Sequence, residues 1–203
     1  MWQTVLSEYA EYYNIQDTWF FQYGSTVYGT ATDKSDIDFI AIHPNKAKHK
    51  FYNGEEIQHQ NLNMHFYWED EFQKQLDAHK IQFLECFFFK GNKVPDHFKF
   101  KLNLSKLRES ISEKANHSFV KAKKKLEVEK DYMIGWKSLF HSLRILDFGT
   151  QIATTGAIQD FSSANHFWTE ILGACRYDWA YFKEKYQPIH NEMSSKFRLA
   201  APK

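Results

Sequence analysis

Apolar residues form short runs in the first half of the chain and follow helical spacing in the second half. Thr18–Tyr23 is an aromatic run that stops at a glycine, which predicts a buried strand. A short helix is predicted over Ser25–Ala31, and the apolar run within Asp36–Ile42 indicates a second strand. Glu55–Trp68 predicts another strand, preceded by the hairpin signal Asn53-Gly54.

The end of the Glu55–Trp68 segment alternates strictly between apolar and polar side chains. Its apolar positions are Leu62, Met64, Phe66 and Trp68. Its polar positions are Asn61, Asn63, His65 and Tyr67. Because successive side chains of a strand point to opposite faces, one face is predicted to join the core and the other to present polar groups.

Helical spacing replaces the strand pattern from Glu69 onwards. Two short helices are predicted within Phe72–Phe88, before the breaks at Gly91 and Pro95. These breaks predict a boundary between an α/β domain over residues 1–94 and a helical domain over residues 95–203. The other predicted helices are Trp2–Tyr13, Leu104–Lys130, Asp131–Thr155 and Phe161–Tyr186. The tail after Pro188 is expected to be loosely tethered.

The composition indicates a soluble globular protein and does not point to a particular class of binding partner. Aromatic residues make up 18% and charged residues 25% of 203 residues, with a net charge of +1. This balance gives no general case for nucleic-acid or membrane binding. The start of the chain lacks the pattern of a signal peptide, and no apolar run is long enough to span a membrane. We therefore expect a cytoplasmic protein whose two cysteines, Cys86 and Cys175, are reduced.

The segment between the first two strands carries the candidate chemistry. Gly24 lets a ligand approach the backbone, and Ser25 opens a short helix whose free N–H groups attract phosphate. Asp36 and Asp38 are two residues apart, so on a strand their carboxylates would leave the same face. Two such carboxylates repel unless a cation lies between them, and Mg²⁺ suits oxygen ligands shared with a substrate phosphate.

The stretch GSTVYGTATDKSDIDF resembles the signature of the nucleotidyltransferase superfamily typified by DNA polymerase beta. It is most similar to the predicted nucleotidyltransferases of bacteria and phages, which share the Tyr28-Gly29-Thr30 step. The segments LNMHFYWEDEF, IQFLECFFF and KSLFHSLRIL also resemble the family, so the likeness covers about Phe20 to Thr155.

The resemblance implies a fold, a cofactor and a set of site residues. The fold is α+β, a small mixed sheet with helices on one face, followed by a C-terminal helical bundle. The cofactor is Mg²⁺ (or Mn²⁺), and the substrate is a nucleoside triphosphate. Gly24, Ser25 and Tyr28 would bind the nucleotide, while Asp36 and Asp38 would bind the metal.

One expected acidic residue is missing. Members of the superfamily usually carry a third carboxylate on the neighbouring strand, and an ungapped comparison places that catalytic position at Asn63. An amide offers an oxygen to a metal but no charge, and it is a poor base. His65 could act as the base instead, or Glu55 or Glu56 could supply the acid, or catalysis has weakened and nucleotide binding remains.

Three basic residues share one face of the predicted Asp131–Thr155 helix. Lys137, His141 and Arg144 are spaced i, i+4 and i+7, and the resemblance implies that they bind the nucleotide. The alternative is a solvated face or ion pairs with Asp147 or a glutamate. The cluster Lys121–Lys125 is better explained as a solvated helix face than as a nucleic-acid contact.

The sequence therefore predicts a metal-dependent nucleotidyltransferase. It would move a nucleoside monophosphate from a triphosphate, with ATP as the default, to an acceptor hydroxyl on a protein, an RNA end or a small molecule. A catalytically weakened nucleotide-binding or protein-partner module is the alternative, and an interaction domain with solvated acids is the third. The lone acid Glu85, in a hydrophobic helix, could support a site cation or cap a loop.

Overall fold

The structure is a computed structural model that describes residues 6–8, 10–11, 15, 17–44 and 51–203. Residues 6–8 and 10–11 are helical, and the rest of the predicted Trp2–Tyr13 helix lies outside the described residues. The strands are β1 Trp19–Tyr23, β2 Ile37–His43, β3 Glu55–His59 and β4 Leu62–Trp68. The helices are α1 Ser25–Tyr28, α2 Glu69–Asp77, α3 Ile81–Phe88, α4 Leu104–Lys124, α5 Tyr132–Thr155, α6 Asn165–Gly173 and α7 Trp179–Ala200.

The strands form one mixed sheet in the order β1-β2-β4-β3. The β1–β2 and β3–β4 pairs are antiparallel, whereas β2 and β4 are parallel. This sheet, with the helical region that follows it, confirms the predicted α+β class.

The predicted Glu55–Trp68 strand is two strands, and this expectation was wrong. The chain reverses at Gln60, whose φ of 54° places it in the left-handed region. The Asn53-Gly54 turn does form, with the Glu55 N–H donating to the Tyr52 carbonyl at 3.0 Å, but it leads into β3 and does not close the β3–β4 hairpin. Polar residues occupy the reversal, so apolar periodicity gave no sign of it.

The strict alternation of β4 is confirmed by burial on the two faces of the sheet. Met64 and Phe66 are buried against Leu6, Ala10 and Ile15 on one face. The opposite face is covered by α2 and α3: the Phe21 ring lies 5.3 Å from that of Phe72, and the Tyr67 ring 5.0 Å from that of Phe83. Asn63 and His65, the polar positions of β4, lie on this second face together with Asp38.

The chain divides into two compact units. One comprises the described residues up to Asp77 together with Gln82–Lys101, and the other comprises Ala78–Ile81 with Leu102–Lys203. The Phe98 ring packs 4.8 Å from the Phe72 ring within the first unit. A domain boundary after residue 94 stays a prediction.

The helices of the second unit begin and end at residues that suit their positions. The Asn103 side chain accepts the Lys106 N–H at 3.0 Å before α4, and Asp131 accepts the Ile134 N–H at 3.3 Å before α5. Lys125–Glu129 continues α4 as a π-helical turn, so the predicted helical pattern over Leu104–Lys130 is confirmed. Gly156 ends α5 with a φ of 83°.

Two predictions about the end of the chain were wrong. Phe161–Tyr186 is not one helix, because Cys175 takes a φ of 49° and Asp178 starts α7 by accepting the Tyr181 N–H at 2.8 Å. The segment after Pro188 is not loosely tethered but continues α7 to Ala200. Burial of side chains such as Phe197 outweighs the hydrogen bond that proline removes. Within the described part of the chain, no helix is both long and apolar enough to cross a membrane.

Candidate functional site

The Gly24 backbone lies directly against the carboxylate of Asp38. Gly24 joins β1 to the single-turn helix α1, with φ 83° and ψ −162°. A Cβ built on this residue would lie 2.2 Å from Oδ2 of Asp38. Both the conformation and the close approach require glycine here. The structure thus brings together two of the predicted site residues that are distant in sequence.

Strand register places Asp38 at the centre of a polar row across the sheet. Tyr23 of β1 is its partner on one side, and Asn63 of β4 is its partner on the other. Asn63 Nδ2 donates to Asp38 Oδ1 at 3.4 Å. Gln58 of β3 lies opposite Asn63 and completes the row. Asn63, where the ungapped comparison places the third acid, is therefore the strand neighbour of Asp38, and its role as that catalytic position stays a prediction.

The Asn63 amide oxygen is the unusual atom of this row. Oδ1 is buried and has no hydrogen-bond partner among the described residues. A half-turn of the carboxamide would exchange Oδ1 with Nδ2 and bring the oxygen beside Asp38, where both could bind one cation. In its present orientation the amide instead donates a hydrogen bond to the Asp38 carboxylate, which stabilises that negative charge without a cation.

Asp36 lies one residue before β2 and is exposed. The Ile37 N–H that follows it donates to the Asn61 carbonyl at 2.8 Å, where β2 begins to pair with β4. Over the described ranges, no three His, Cys, Asp or Glu side chains are grouped as metal ligands. Binding of a metal by Asp36 and Asp38 therefore stays a prediction.

Tyr28, predicted to bind nucleotide, is buried and points into the protein. Its hydroxyl donates to Oε2 of Glu85, which is also buried. Glu85, whose role the sequence left open, thus accepts a hydrogen bond from the helix that follows Gly24. The role of Tyr28 towards a nucleotide stays a prediction.

Tyr23 is a site residue that the sequence analysis missed. Burial raises the pKa of its phenol far above the ordinary value, and the charge of Asp38 raises it further. Gln82 lies close enough to the phenol to act on its pKa in the opposite direction. Tyr23 is therefore a neutral hydroxyl beside Asp38. Its place immediately before Gly24 was the available signal, but the aromatic run concealed it.

The residues proposed to replace the third acid lie on β3 and β4. His65 follows Asn63 on the same face, and its Nε2 lies 4.0 Å from Oε1 of Glu56. Glu55 instead accepts the Tyr52 N–H at 3.1 Å in the preceding turn. A role of His65, Glu55 or Glu56 in catalysis stays a prediction.

The basic residues of α5 differ in exposure. Lys137 is exposed, His141 is half-buried, and Arg144 is buried. The Arg144 guanidinium lies 5.6 Å from the ring centroids of both Phe140 and Phe148. The candidate ion-pair partner Asp147 accepts hydrogen bonds from Gln151 and Ser163. Participation of the three basic residues in nucleotide binding stays a prediction.

Two lysines of α4 extend this basic group within the helical unit. Burial holds the pKa of His141 well below its ordinary value, and Arg144, Lys137, Lys114 and Lys121 lower it further, in that order. Lys121 is exposed, as predicted for a solvated face, whereas Lys114 carried no signal in the sequence. Their separation from α5 along the chain hid this grouping.

Comparison with known proteins identifies the family of the chain. A family model described as nucleotidyltransferase domain matches residues 5–133. The matched range contains Gly24, Asp38 and Asn63 and ends before Lys137. No curated protein and no solved structure matches the chain.

Proposed function

Because the chain belongs to the nucleotidyltransferase domain family, we propose that it transfers a nucleoside monophosphate from a nucleoside triphosphate to an acceptor hydroxyl. The acceptor oxygen attacks the α-phosphorus, and a bond forms between them. The bond from the α-phosphorus to the bridging oxygen of the β-phosphate breaks, and pyrophosphate leaves. The acceptor's proton passes to a base or to solvent. ATP is the proposed donor.

The observation that carries this proposal is the contact between Asp38 and the Gly24 backbone. A phosphate that approaches the Gly24–Ser25 turn also approaches the carboxylate of Asp38. Two negative groups at one place are stable only if a cation is shared between them. The turn and the acid therefore support a site for a metal-bound phosphate.

The side chains in this row fit a divalent metal ion of the magnesium type. Asp36 and Asp38 would supply the charged oxygens, and Asn63 would add its buried amide oxygen after rotation. When bound, such an ion neutralises phosphate charge and lowers the pKa of an attacking hydroxyl. Tyr23, whose raised pKa keeps it neutral, adds no competing charge to the row.

Because their helix resembles the family, Lys137, His141 and Arg144 are also proposed to bind the nucleotide. The position of the Arg144 guanidinium would be restricted, because it lies 5.6 Å from the ring centroids of both Phe140 and Phe148. The acceptor, whether a protein hydroxyl, an RNA end or a small molecule, is left to the experiment.

The proposal is tested by a transfer assay. The protein is incubated with each of the four α-phosphate-labelled triphosphates, Mg²⁺ or Mn²⁺, and a cell extract. Asp38→Ala should abolish labelling, because it removes the carboxylate that contacts Gly24. Asp33→Ala is the matched control, since Asp33 is an exposed acid in the turn before β2. If the native protein neither labels an acceptor nor releases pyrophosphate, transfer is refuted.

Asn63 favours a second candidate, a nucleotide-binding module with weakened catalysis. Its amide stands where relatives in this superfamily usually have an acid, and it donates to Asp38. This candidate predicts that ATP binds without turnover and that Asn63→Asp creates transfer activity. Turnover in the native protein together with loss of activity in Asn63→Asp would exclude it.

A further inference from the structure

The helix that follows Gly24 is too short to hold its own position. α1 has four residues, and Tyr28 is its buried member. An isolated helical turn is unstable in water, since nucleation fixes several residues for one hydrogen bond. Four backbone bonds define the turn: Val27 and Tyr28 donate to the Gly24 carbonyl at 3.0 and 3.2 Å, and Gly29 and Thr30 donate to the Ser25 carbonyl, the latter at 2.9 Å. The conformation of this segment must therefore be fixed from outside.

The outside support comes from α3. Tyr28 donates its hydroxyl to the Glu85 carboxylate, and both side chains are buried. A hydrogen bond to a carboxylate is stronger than one between neutral groups, and burial protects it from competition with water. Gln82, one turn earlier on α3, lies close enough to Tyr23 to lower the pKa of its phenol, against the effect of burial. Side chains of one helix thus lie beside both tyrosines that bracket the turn.

We infer that Glu85 is a positioning residue, which fixes the Gly24–Ser25 turn through Tyr28. The inference rests on the proposed function, in which this turn receives the phosphates. Glu85 does not contact the substrate. It determines where the turn lies relative to Asp38, because α3 packs on the same face of the sheet that carries Asp38. It also explains why a lone acid occurs within the hydrophobic sequence FLECFFF.

The first test measures the turn itself and needs no nucleotide. Tyr28→Phe removes the hydroxyl and leaves the ring. Hydrogen exchange at the amides of residues 27, 28 and 30 should become about tenfold faster, the factor expected for loss of one charge-assisted hydrogen bond. Tyr67→Phe is the matched control, since this tyrosine packs on α3 through Phe83 and lies outside the turn. Unchanged exchange at the three amides in Tyr28→Phe would overturn the inference.

The second test separates positioning from general stability. Affinity is measured with an ATP analogue whose α–β bridging oxygen is replaced by a methylene group, so that no transfer occurs. Glu85→Gln should weaken this affinity about tenfold, whereas Glu71→Gln, the same change at an ion-paired acid on α2, should not. The double variant Tyr28→Phe/Glu85→Met replaces both partners by apolar groups. Its melting temperature should approach that of the native protein, while its affinity stays low.

The outcomes distinguish failure of the positioning role of Glu85 from failure of the proposed function. Recovery of affinity together with melting temperature in the double variant would make the pair structural only, and would overturn the positioning role. If the native protein binds no analogue at all, the proposed function fails. In that case accelerated exchange in Tyr28→Phe would still support the anchoring of the turn by Glu85.

Discussion

Gly24→Ala is the smallest change that tests the contact at the centre of the candidate site. It adds one methyl group where the backbone has φ 83° and ψ −162°. That methyl carbon would lie 2.2 Å from Asp38 Oδ2 and 3.0 Å from its Cγ. Since real Cβ contacts are never that short, either the Asp38 side chain or the backbone must move.

The cost has two parts. An alanine in this glycine-only region of backbone angles costs about 1–3 kcal/mol. Displacement of Asp38 from its rotamer adds about 1 kcal/mol. Together they predict destabilisation of about 2–4 kcal/mol, or a melting temperature lower by about 4–16 °C. A carboxylate misplaced by about 1 Å should also slow transfer by about a hundredfold.

Gly156→Ala provides the matched control. Gly156 has the same φ of 83°, but a Cβ there would meet no atom within 4 Å. It should cost only the strain of a left-handed alanine, about 1–2 kcal/mol, with no effect on transfer. Melting temperature and transfer of an α-labelled triphosphate are measured for both variants. If Gly24→Ala loses no more stability and no more activity than Gly156→Ala, the contact with Asp38 has no functional weight.

Two further predictions concern charge. Asn63→Asp should make the melting temperature depend more strongly on Mg²⁺, since a second carboxylate beside Asp38 repels it unless a cation is bound; an unchanged Mg²⁺ response would contradict this. Stability should fall as the pH drops below about 6.5, because burial lowers the pKa of His141 and His190 and the unfolded chain then binds more protons. His141→Gln should reduce the slope by up to about 1.4 kcal/mol per pH unit, whereas the exposed His166→Gln should not.

Most of the sheet, and the proximity of its candidate site residues, could be predicted from local sequence. The aromatic run before Gly24 and the apolar run after Asp38 mark β1 and β2, and strands that follow each other in sequence usually pair, as these two do. The polar face of β4 likewise pointed to Asn63 as the residue beside Asp38. These inferences succeeded because each depends on side-chain alternation within one strand.

The contacts that fix the turn could not be predicted in this way. Tyr28 and Glu85 are 57 residues apart, and no periodicity relates them. The reversal at Gln60 was not predicted for another reason. A non-glycine residue in the left-handed region carries no distinctive sequence signal. The helix through Pro188 was missed because tertiary burial overrides a local helix breaker.

Asn63 keeps the negative charge of the polar row lower than an aspartate at the same position would. Asp38 and Glu85 both act electrostatically on Tyr23, so this side of the sheet already holds two buried or half-buried acids. A third carboxylate in direct register with Asp38 would need a bound cation or a proton to relieve the repulsion between them. The amide removes that need by donating to Asp38, and its oxygen can still turn towards a metal. Folding of the sheet unit is therefore expected to be independent of metal, while catalysis depends on it.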